Sequence, residues 1–294
     1  MFFQIFTAVI LATSCICFSA EKENELITWK SCKLVATEWA DGDSFQIQTP
    51  AGELHTIRLY GVDCIEWHVS DDTDARRLRE QRRYFGISNV GGSAAESINT
   101  AKLFGEEAAI EVRKLLRAPF SVHTYMADGR GDGRFKRIYA FVTLPDGDDL
   151  AERLVRTGFA RAMGVTRATP SGKSSDDYKE FLKDTELQAA KKGLGVWAKT
   201  NWYQLALERQ LERRENEELG LAAGPAKLTE GEKINPNTAA RDDLMKLPKI
   251  REVMANRIIE GRPYKKIDDL LNVEGIGPAT LEAIKPHLTL TIKE

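Results

Sequence analysis

Apolar and polar residues alternate along the first part of the chain, and this alternation predicts short β-strands. Residues Ser44–Thr49 and His55–Tyr60 alternate with a period of two, and a less regular alternation covers Cys32–Ala40. The turn signals Asp41-Gly42 and Pro50-Ala51-Gly52 separate these segments. Three consecutive strands joined by tight turns predict an antiparallel meander, which is typical of a β-barrel or a β-sandwich.

Two further alternating segments, Phe120–Tyr125 and Arg137–Val142, raise the number of predicted strands to about five, as in a small OB-type barrel. Helical spacing of apolar residues predicts helices at Phe104–Leu116, Leu150–Thr157 and Asp176–Lys192. The predicted fold class is therefore α+β, with an OB-type five-stranded β-barrel and helices around it.

The segment Trp67–Thr100 shows no clear hydrophobic period, so we predict that it is an insertion or a lid. It contains an arginine-rich run, Arg76–Arg83, with acidic residues on both sides. Mixed charges of this kind are typical of a solvated helix face. We favour that interpretation of the run over a role in phosphate binding.

The C-terminal third has a different composition. Residues Tyr203–Leu219 are rich in Glu and Arg with Leu at helical spacing, and Gly220–Lys227 contains small residues. Leu and Ile recur at helical spacing beyond this point and predict a compact all-α module. The predicted organisation is a signal peptide at 1–20, a barrel domain at 30–202, a helical extension and linker at 203–232, and a small all-α domain at 233–294.

The N-terminal residues Met1–Ala20 form an apolar run that ends in small residues, which predicts a secretory signal peptide cleaved near Ser19 or Ala20. No Lys or Arg precedes the run, so an uncleaved membrane anchor stays open, and Cys15 leaves a lipid anchor as a minor alternative. The expected location is therefore secreted or periplasmic, with membrane anchoring as the alternative.

The net charge limits how the protein could bind nucleic acid, and the cysteine content raises the question of a disulfide. The 294 residues carry a formal net charge of −2, which excludes a protein that binds polyanions by bulk charge, so nucleic-acid contacts would have to come from local clusters. Cys32 and Cys64 lie beyond the predicted signal peptide. In an exported protein they could form a disulfide, and buried or free thiols are the alternative.

The candidate chemistry is concentrated where one predicted strand ends. Arg58 lies on the strand that ends near Gly61, and Asp63 and Glu66 follow on the turn. Asp43 lies upstream and Arg137 downstream. Together these residues supply what metal-assisted phosphodiester cleavage needs, which is hard oxygen ligands, a base for water and fixed cations beside the phosphate.

Five ordered motifs make residues Cys32 to Trp202 resemble the thermonuclease, or staphylococcal-nuclease-like, family. They are Asp41-Gly-Asp43, Arg58–Glu66, Arg137-Ile-Tyr-Ala140, Leu154–Ala160 and Lys192–Trp197. The resemblance implies hydrolysis of DNA and RNA by a calcium-dependent monomer that needs no small-molecule cofactor.

By the same resemblance, Asp43, Asp63 and the backbone carbonyl of Cys64 would hold the calcium ion. The sequence has Cys64 where the family usually has Thr and Ile65 where it usually has Pro. Because any residue offers a backbone carbonyl, the first of these departures affects the turn geometry more than the number of ligands.

The resemblance also assigns catalytic roles. Arg58 and Arg137 would be the catalytic arginines, and Glu66 would be the catalytic glutamate that accepts a proton from water. Phe135 replaces a Tyr that helps to hold substrate phosphate in the family, so phosphate binding at that position is not expected.

The C-terminal module resembles the paired helix-hairpin-helix module of competence-type DNA-binding proteins, through Ile234–Ala240 and Asp269–Pro278. Gly275, Ile276 and Gly277 form the turn that would present backbone N–H groups to a phosphate of duplex DNA, without reading the bases. The first hairpin, Pro248–Arg251, lacks both glycines, so a close approach of its backbone to DNA is not expected. A packing or protein-binding module is the alternative.

The sequence therefore predicts an exported, calcium-dependent nuclease with a C-terminal DNA-docking module. Two alternatives belong to other classes, namely a catalytically inactive nucleic-acid-binding or scaffold protein and a membrane-anchored DNA-uptake receptor. Asp43, Arg58, Asp63, Glu66 and Arg137 are all present, whereas an inactive copy would be expected to have lost some of them.

Overall fold

A computed structural model describes residues 26–127, 129, 137–223, 228 and 231–290. The predicted signal peptide at 1–20, Phe135 and residues 224–227 of the predicted linker lie outside the described residues. Among the residues described, no helix is long and apolar enough to cross a membrane.

Five strands close into a barrel in the order β1-β2-β3-β6-β5. Their bounds are β1 Ile27–Val35, β2 Ser44–Gln48, β3 Leu54–Leu59, β5 Phe120–Thr124 and β6 Ile138–Thr143. All neighbouring pairs are antiparallel except β3 and β6, which are parallel. A two-stranded sheet pairs β4 (Asp63–Cys64) with β7 (Ala160–Arg161). This architecture confirms the predicted five-stranded OB-type barrel.

The first strand differs from its prediction. It begins at Ile27 and ends at Val35, whereas the alternation pattern placed it at Cys32–Ala40. Its first half pairs with β5, from Ile27 opposite Thr124 to Trp29 opposite Val122, and the register shifts before Cys32. This pairing joins segments nearly 100 residues apart, so the local pattern does not contain it.

Eight α-helices surround and follow the barrel in the described residues. They are α1 Asp72–Phe85, α2 Ala94–Leu115, α3 Leu150–Arg156, α4 Ser175–Lys191, α5 Trp202–Ala223, α6 Arg241–Leu244, α7 Glu252–Glu260 and α8 Pro278–Ile284. The barrel helices predicted from helical spacing are all present.

The segment Trp67–Thr100, which is predicted to be an insertion or a lid, is mostly helical, because α1 and the first turns of α2 occupy most of it. Helix α1 begins after Asp71, whose side chain accepts hydrogen bonds from two backbone N–H groups of the first turn. Its buried side contains Gln81 and Arg82 beside Leu78 and Phe85. Because half of this buried side is polar, the helix has no clear apolar stripe and the hydrophobic pattern does not show it.

Helix α1 is packed on both sides. Below it, a core of buried apolar side chains includes Ile65, Leu78, Phe85, Ile87 and Trp197. Above it, α5 contributes Glu212 and Glu215, whose carboxylates bind Arg83 Nη1 at 2.6 and 2.7 Å. Helix α1 is therefore fixed between the barrel region and α5.

The C-terminal helices α6, α7 and α8 enclose a small core that includes Leu244, Ile258, Leu270 and Ile284, all fully buried. This region contacts the barrel domain through Arg167, whose Nη1 donates to the backbone carbonyls of Glu260 (2.8 Å) and Arg262 (3.2 Å). An arginine at the C-terminal end of α7 is favourable because the carbonyls there carry partial negative charge.

Both cysteines are buried free thiols and do not form a disulfide. The alternative of buried thiols is thus the one that the structure supports. Burial raises the pKa of the Cys64 thiol well above its usual value, and the nearby carboxylates Asp43 and Asp41 raise it further. The Cys64 thiol is therefore held in its neutral form.

Candidate active site

The site lies where the β1–β2 turn meets the segment that follows β3. Asp43 directly precedes β2, and its carboxylate accepts hydrogen bonds from the backbone N–H of Cys64 (2.8 Å) and from Ser44 Oγ (2.8 Å). Gly42 allows this approach, because a Cβ atom there would lie 2.6 Å from the Cys64 sulfur. The two carboxylate segments are thus joined directly to each other.

Arg58 on β3 connects the two aspartates. Its Nη1 lies 3.3 Å from Asp43 Oδ1, and its Nη2 lies 3.0 Å from Asp63 Oδ1. Burial works against the guanidinium charge, but Asp43 and Asp63 outweigh it and raise the pKa of Arg58 well above its usual value. Arg58 is therefore a fixed cation at the centre of the site.

Asp63 is surrounded by donors. Besides Arg58, its carboxylate contacts Arg161 Nε at 2.8 Å, Gln81 Nε2 at 2.9 Å and Arg77 Nη2 at 3.5 Å. Burial opposes ionisation of Asp63, but Arg161, Arg77 and Arg58 together outweigh burial and hold its pKa well below the usual range. Asp63 is consequently ionised throughout the physiological pH range.

Glu66 has a different environment although it is also buried. Its Oε1 lies 2.5 Å from Arg77 Nη2, and its backbone N–H donates to Gln81 Oε1 at 2.8 Å. The pKa of Glu66 is raised to about 7, mainly by burial. Arg77 lowers this pKa, whereas Asp43 and Asp63 raise it. A carboxylate with a pKa near neutrality suits a general base, because such a group both accepts and releases a proton at working pH.

Arg137 reaches the same place from the start of β6. Its Nη1 lies 3.5 Å from Ser44 Oγ, which is also 3.4 Å from Arg58 Nη1. The structure therefore brings together all six barrel residues that the sequence predicts for the site. They are Asp43, Arg58, Asp63, Cys64, Glu66 and Arg137.

Sequence reasoning missed three side chains that contact this cluster, namely Arg77 and Gln81 from α1 and Arg161 from β7. The interpretation of the arginine-rich run as a solvated helix face is wrong for Arg77, which contacts Asp63 and Glu66, and for Arg82, which is buried. The spacing of Arg77 and Gln81 by four residues places both on one helix face and could have indicated a shared target. The target itself is not visible in the sequence.

Asp41 is a fourth carboxylate at the site. Its Oδ1 accepts hydrogen bonds from the backbone N–H groups of Asp43 (3.0 Å) and Ser44 (2.6 Å), which shapes the turn before β2. Burial raises its pKa well above the usual value, and the neighbouring Asp43 and Glu66 carboxylates add to this shift. Asp41 therefore stabilises the turn that carries Asp43, and its carboxylate binds a proton more readily than that of an exposed aspartate.

The oxygens predicted to hold calcium already accept hydrogen bonds from protein donors in this structure. Both oxygens of Asp63 are bonded to arginines or to Gln81, and the Cys64 carbonyl accepts a hydrogen bond from Gln81 Nε2 at 2.7 Å. Calcium would need these oxygens at about 2.3 to 2.6 Å. Across the parts of the chain that the structure describes, no group of three or more His, Cys, Asp or Glu residues is arranged to hold a metal.

The C-terminal turn has the geometry that the sequence predicts. Gly275 has a φ of +94°, Ile276 is buried, and Gly277 is the residue that caps α8. The first hairpin repeats this arrangement although it lacks glycine, because Lys249 has a φ of +64° and Arg251 caps α7. Its backbone is therefore closer to that of the second hairpin than its sequence suggests.

Comparison with known proteins agrees with this geometry. Residues 56–199 match the model of the family described as staphylococcal nuclease homologue. The chain therefore contains a staphylococcal nuclease homologue domain at residues 56–199. Residues 229–289 match the helix-hairpin-helix motif, so the chain combines a nuclease-type fold with a motif that supports nucleic-acid binding.

Curated relatives match a short part of the chain. Proteins named endonuclease/exonuclease/phosphatase family domain-containing protein 1 are 39% identical over 70 residues in Xenopus laevis and in Danio rerio, and 37% identical in Homo sapiens. Each match covers 22% of this chain. The chain covers 13% of the Xenopus and Danio proteins and 12% of the human protein. Such short matches do not transfer the activity of the whole relatives.

Proposed function

We propose that the protein is a nuclease that hydrolyses phosphodiester bonds of DNA and RNA, with a C-terminal module that binds duplex DNA. The observation that carries this proposal is the cluster of Arg58, Arg137 and Glu66 at one end of a barrel of the staphylococcal nuclease homologue family. Two fixed cations and a carboxylate with a pKa near neutrality are what hydrolysis of an anionic ester needs.

In the proposed reaction Glu66 accepts a proton from the attacking water, directly or through a second water. The water oxygen forms a new bond to phosphorus while the bond from phosphorus to the 5′ oxygen breaks, and the leaving oxygen takes up a proton. The product end then carries a 3′-phosphate, as the family resemblance implies. Arg58 and Arg137 stabilise the negative charge that grows on the phosphate oxygens.

The direct test is to mix the purified protein with plasmid DNA and with single-stranded RNA and to follow cleavage. Cleavage of both would support the proposal. Binding without cleavage under every condition would instead support the inactive nucleic-acid-binding protein, which is the alternative from another class. Export is a further proposal, supported by the apolar run Met1–Ala20, and is tested by whether the mature protein begins after residue 20.

Calcium dependence is a finer proposal that rests on the family resemblance. We expect cleavage in calcium, much less in magnesium and none with excess chelator, because calcium tolerates irregular oxygen coordination better than magnesium does. We also expect a half-saturating concentration at the weak end of the range, about 10⁻⁴ to 10⁻³ M, since the ion must compete with protein donors for Asp63 and Cys64. The measurement is the cleavage rate against cation concentration, and equal rates with both cations would contradict the assignment.

The C-terminal module offers a separate prediction on duplex DNA. A Gly275→Val, Gly277→Val double variant should bind duplex DNA more weakly than the parent, because Gly275 has a left-handed backbone that valine does not tolerate. The loss should be similar for all sequences, since backbone amides hold phosphates and not base edges. A matched control is Gly147→Val, which alters an exposed turn of the barrel with a similar φ of +90°.

The salt dependence of duplex affinity measures how many phosphate contacts a variant loses. Each phosphate contact that is lost should reduce the slope of log affinity against log salt by about 0.9. Lys249→Gln should also reduce this slope by about 1 if the first hairpin contacts DNA. A double variant that binds as tightly as the parent would identify the module as a packing or protein-binding element.

A further inference from the structure

Helix α1 sends two side chains into the candidate site from one face, one helical turn apart. These are Arg77 and Gln81, and the family resemblance assigns neither of them a role. Both lie in a segment that the hydrophobic pattern did not recognise as helical. Both side chains contact the segment that contains Asp63, Cys64 and Glu66, on which the proposed chemistry depends.

Gln81 is fully buried, and its amide makes one hydrogen bond to each of these three residues. Its Nε2 donates to Asp63 Oδ2 at 2.9 Å and to the Cys64 carbonyl at 2.7 Å. Its Oε1 accepts the backbone N–H of Glu66 at 2.8 Å. One donor and the acceptor of this amide thus fix the backbone on either side of residue 65, and the other donated bond holds the Asp63 carboxylate.

Arg77 completes the contact by holding the Glu66 side chain. Its Nη2 lies 2.5 Å from Glu66 Oε1 and 3.5 Å from Asp63 Oδ1. The Arg77 side chain is 30% exposed, so it lies at the mouth of the site and not in the core. A charge-assisted contact of this length restricts the carboxylate of Glu66 to one orientation.

The helix that carries these side chains is itself held in place. Arg82 Nε donates to Ser97 Oγ at 2.8 Å, and Arg83 is paired with Glu212 and Glu215 of α5. Arg209 of α5 donates from Nε to the Tyr84 carbonyl at 3.0 Å. Because α1 is held on both sides, Arg77 and Gln81 keep fixed positions at the site.

We propose that Arg77 and Gln81 are positioning residues of the hydrolytic reaction. Gln81 fixes the Asp63 carboxylate and the backbone from Cys64 to Glu66, and Arg77 orients the Glu66 carboxylate toward the attacking water. The inference rests on the proposed nuclease activity and deepens it. Because both residues act through Asp63 and Glu66, their loss should lower kcat and leave KM nearly unchanged.

The test uses the full chain and a single-stranded oligonucleotide substrate, with kcat, KM and the melting temperature measured for each variant. Arg77→Gln should lower kcat by about tenfold to a hundredfold, since a small misplacement of a catalytic group can cost about 10² in rate. Arg77→Lys should recover part of the rate because it retains a cation beside Glu66. Arg76→Gln is the matched control, because it removes the same charge from the next position, which is exposed.

Gln81→Glu tests the second side chain with almost no change in size. A carboxylate keeps the acceptor for the Glu66 N–H but loses both donated hydrogen bonds and adds a negative charge beside Asp63. We expect a loss of kcat at least as large as that of Arg77→Gln. Since Gln81 is buried, this variant could also unfold, and the Arg77 variants at the mouth of the site then decide the outcome.

The possible failures are distinguishable. If the parent protein cleaves the oligonucleotide and Arg77→Gln behaves like Arg76→Gln, the positioning role is wrong while the nuclease proposal stands. If Arg77→Gln raises KM at unchanged kcat, Arg77 contacts substrate and the positioning role is again wrong. If the parent cleaves nothing with calcium, with magnesium or with chelator, the proposed function itself fails.

Discussion

Replacement of Arg58 by alanine is expected to lower kcat by about 10² to 10³, the usual effect of removing one preorganised group that stabilises charge in the transition state. Arg58 lies 3.3 Å from Asp43 and 3.0 Å from Asp63, so its positive charge also offsets the repulsion between these two buried carboxylates. Its loss would leave these carboxylates facing each other without the cation between them. We therefore expect a lower melting temperature in addition to the lower rate.

Two further variants separate these effects. Arg58→Lys keeps a positive charge but cannot present two parallel donors to a phosphate, so it should recover stability better than it recovers kcat. Arg113→Ala, on the exposed side of α2, is a control for removing an arginine elsewhere on the same domain. A rate for Arg58→Ala within about twofold of the Arg113→Ala rate would exclude Arg58 from the reaction.

Replacement of Glu66 by glutamine should lower kcat by about 10² to 10⁴, the range for losing a positioned general base. The amide has nearly the same size as the carboxylate but cannot accept a proton from water at neutral pH. The backbone N–H of Glu66 still donates to Gln81 Oε1 in this variant, so the turn should keep its shape. Single-turnover cleavage of an oligonucleotide measures the chemical step without product release.

The control for this variant is Glu53→Gln, which removes the same charge from a residue whose side chain is 63% exposed. Circular dichroism and the melting temperature of both variants should match those of the parent. If Glu66→Gln cleaves at the parental rate, another group accepts the proton and the proposed mechanism is wrong.

Most strands of the barrel were predictable from the sequence because their alternation is local, whereas the position of β1 and its pairing with β5 were not. Each strand of the meander buries one face, and that requirement produces the alternation in Ser44–Thr49 and His55–Tyr60. The turn at Asp41-Gly42 needs a small residue between two polar ones, and this also appears in the sequence. The motifs that place Arg58, Asp63 and Glu66 near one another lie within nine residues of chain, so their proximity follows from one strand and one turn.

The helix α1 was not predictable in the same way. Its buried side includes Gln81 and Arg82, which a hydrophobic pattern counts as surface residues. These side chains are stable in the interior because they form hydrogen bonds with other elements. Gln81 binds the Asp63–Glu66 stretch, and Arg82 binds Ser97. A buried polar group is stable only with its partner, and the partner is set by the tertiary fold.

The sequence by itself indicated most of the barrel, because apolar periodicity and turn residues record burial within a few residues. Its resemblance to known families indicated the helix-hairpin-helix module and the six barrel residues of the candidate site. Only the tertiary structure decided that Cys32 and Cys64 are separate buried thiols, and that Arg77, Gln81 and Arg161 surround Asp63 and Glu66. Arg161 is 98 residues from Asp63 along the chain, and their ion pair exists because β4 and β7 lie side by side. Ion pairs between residues so far apart in the chain produce no periodic sequence pattern, because the pairing depends on which elements the closed barrel brings together.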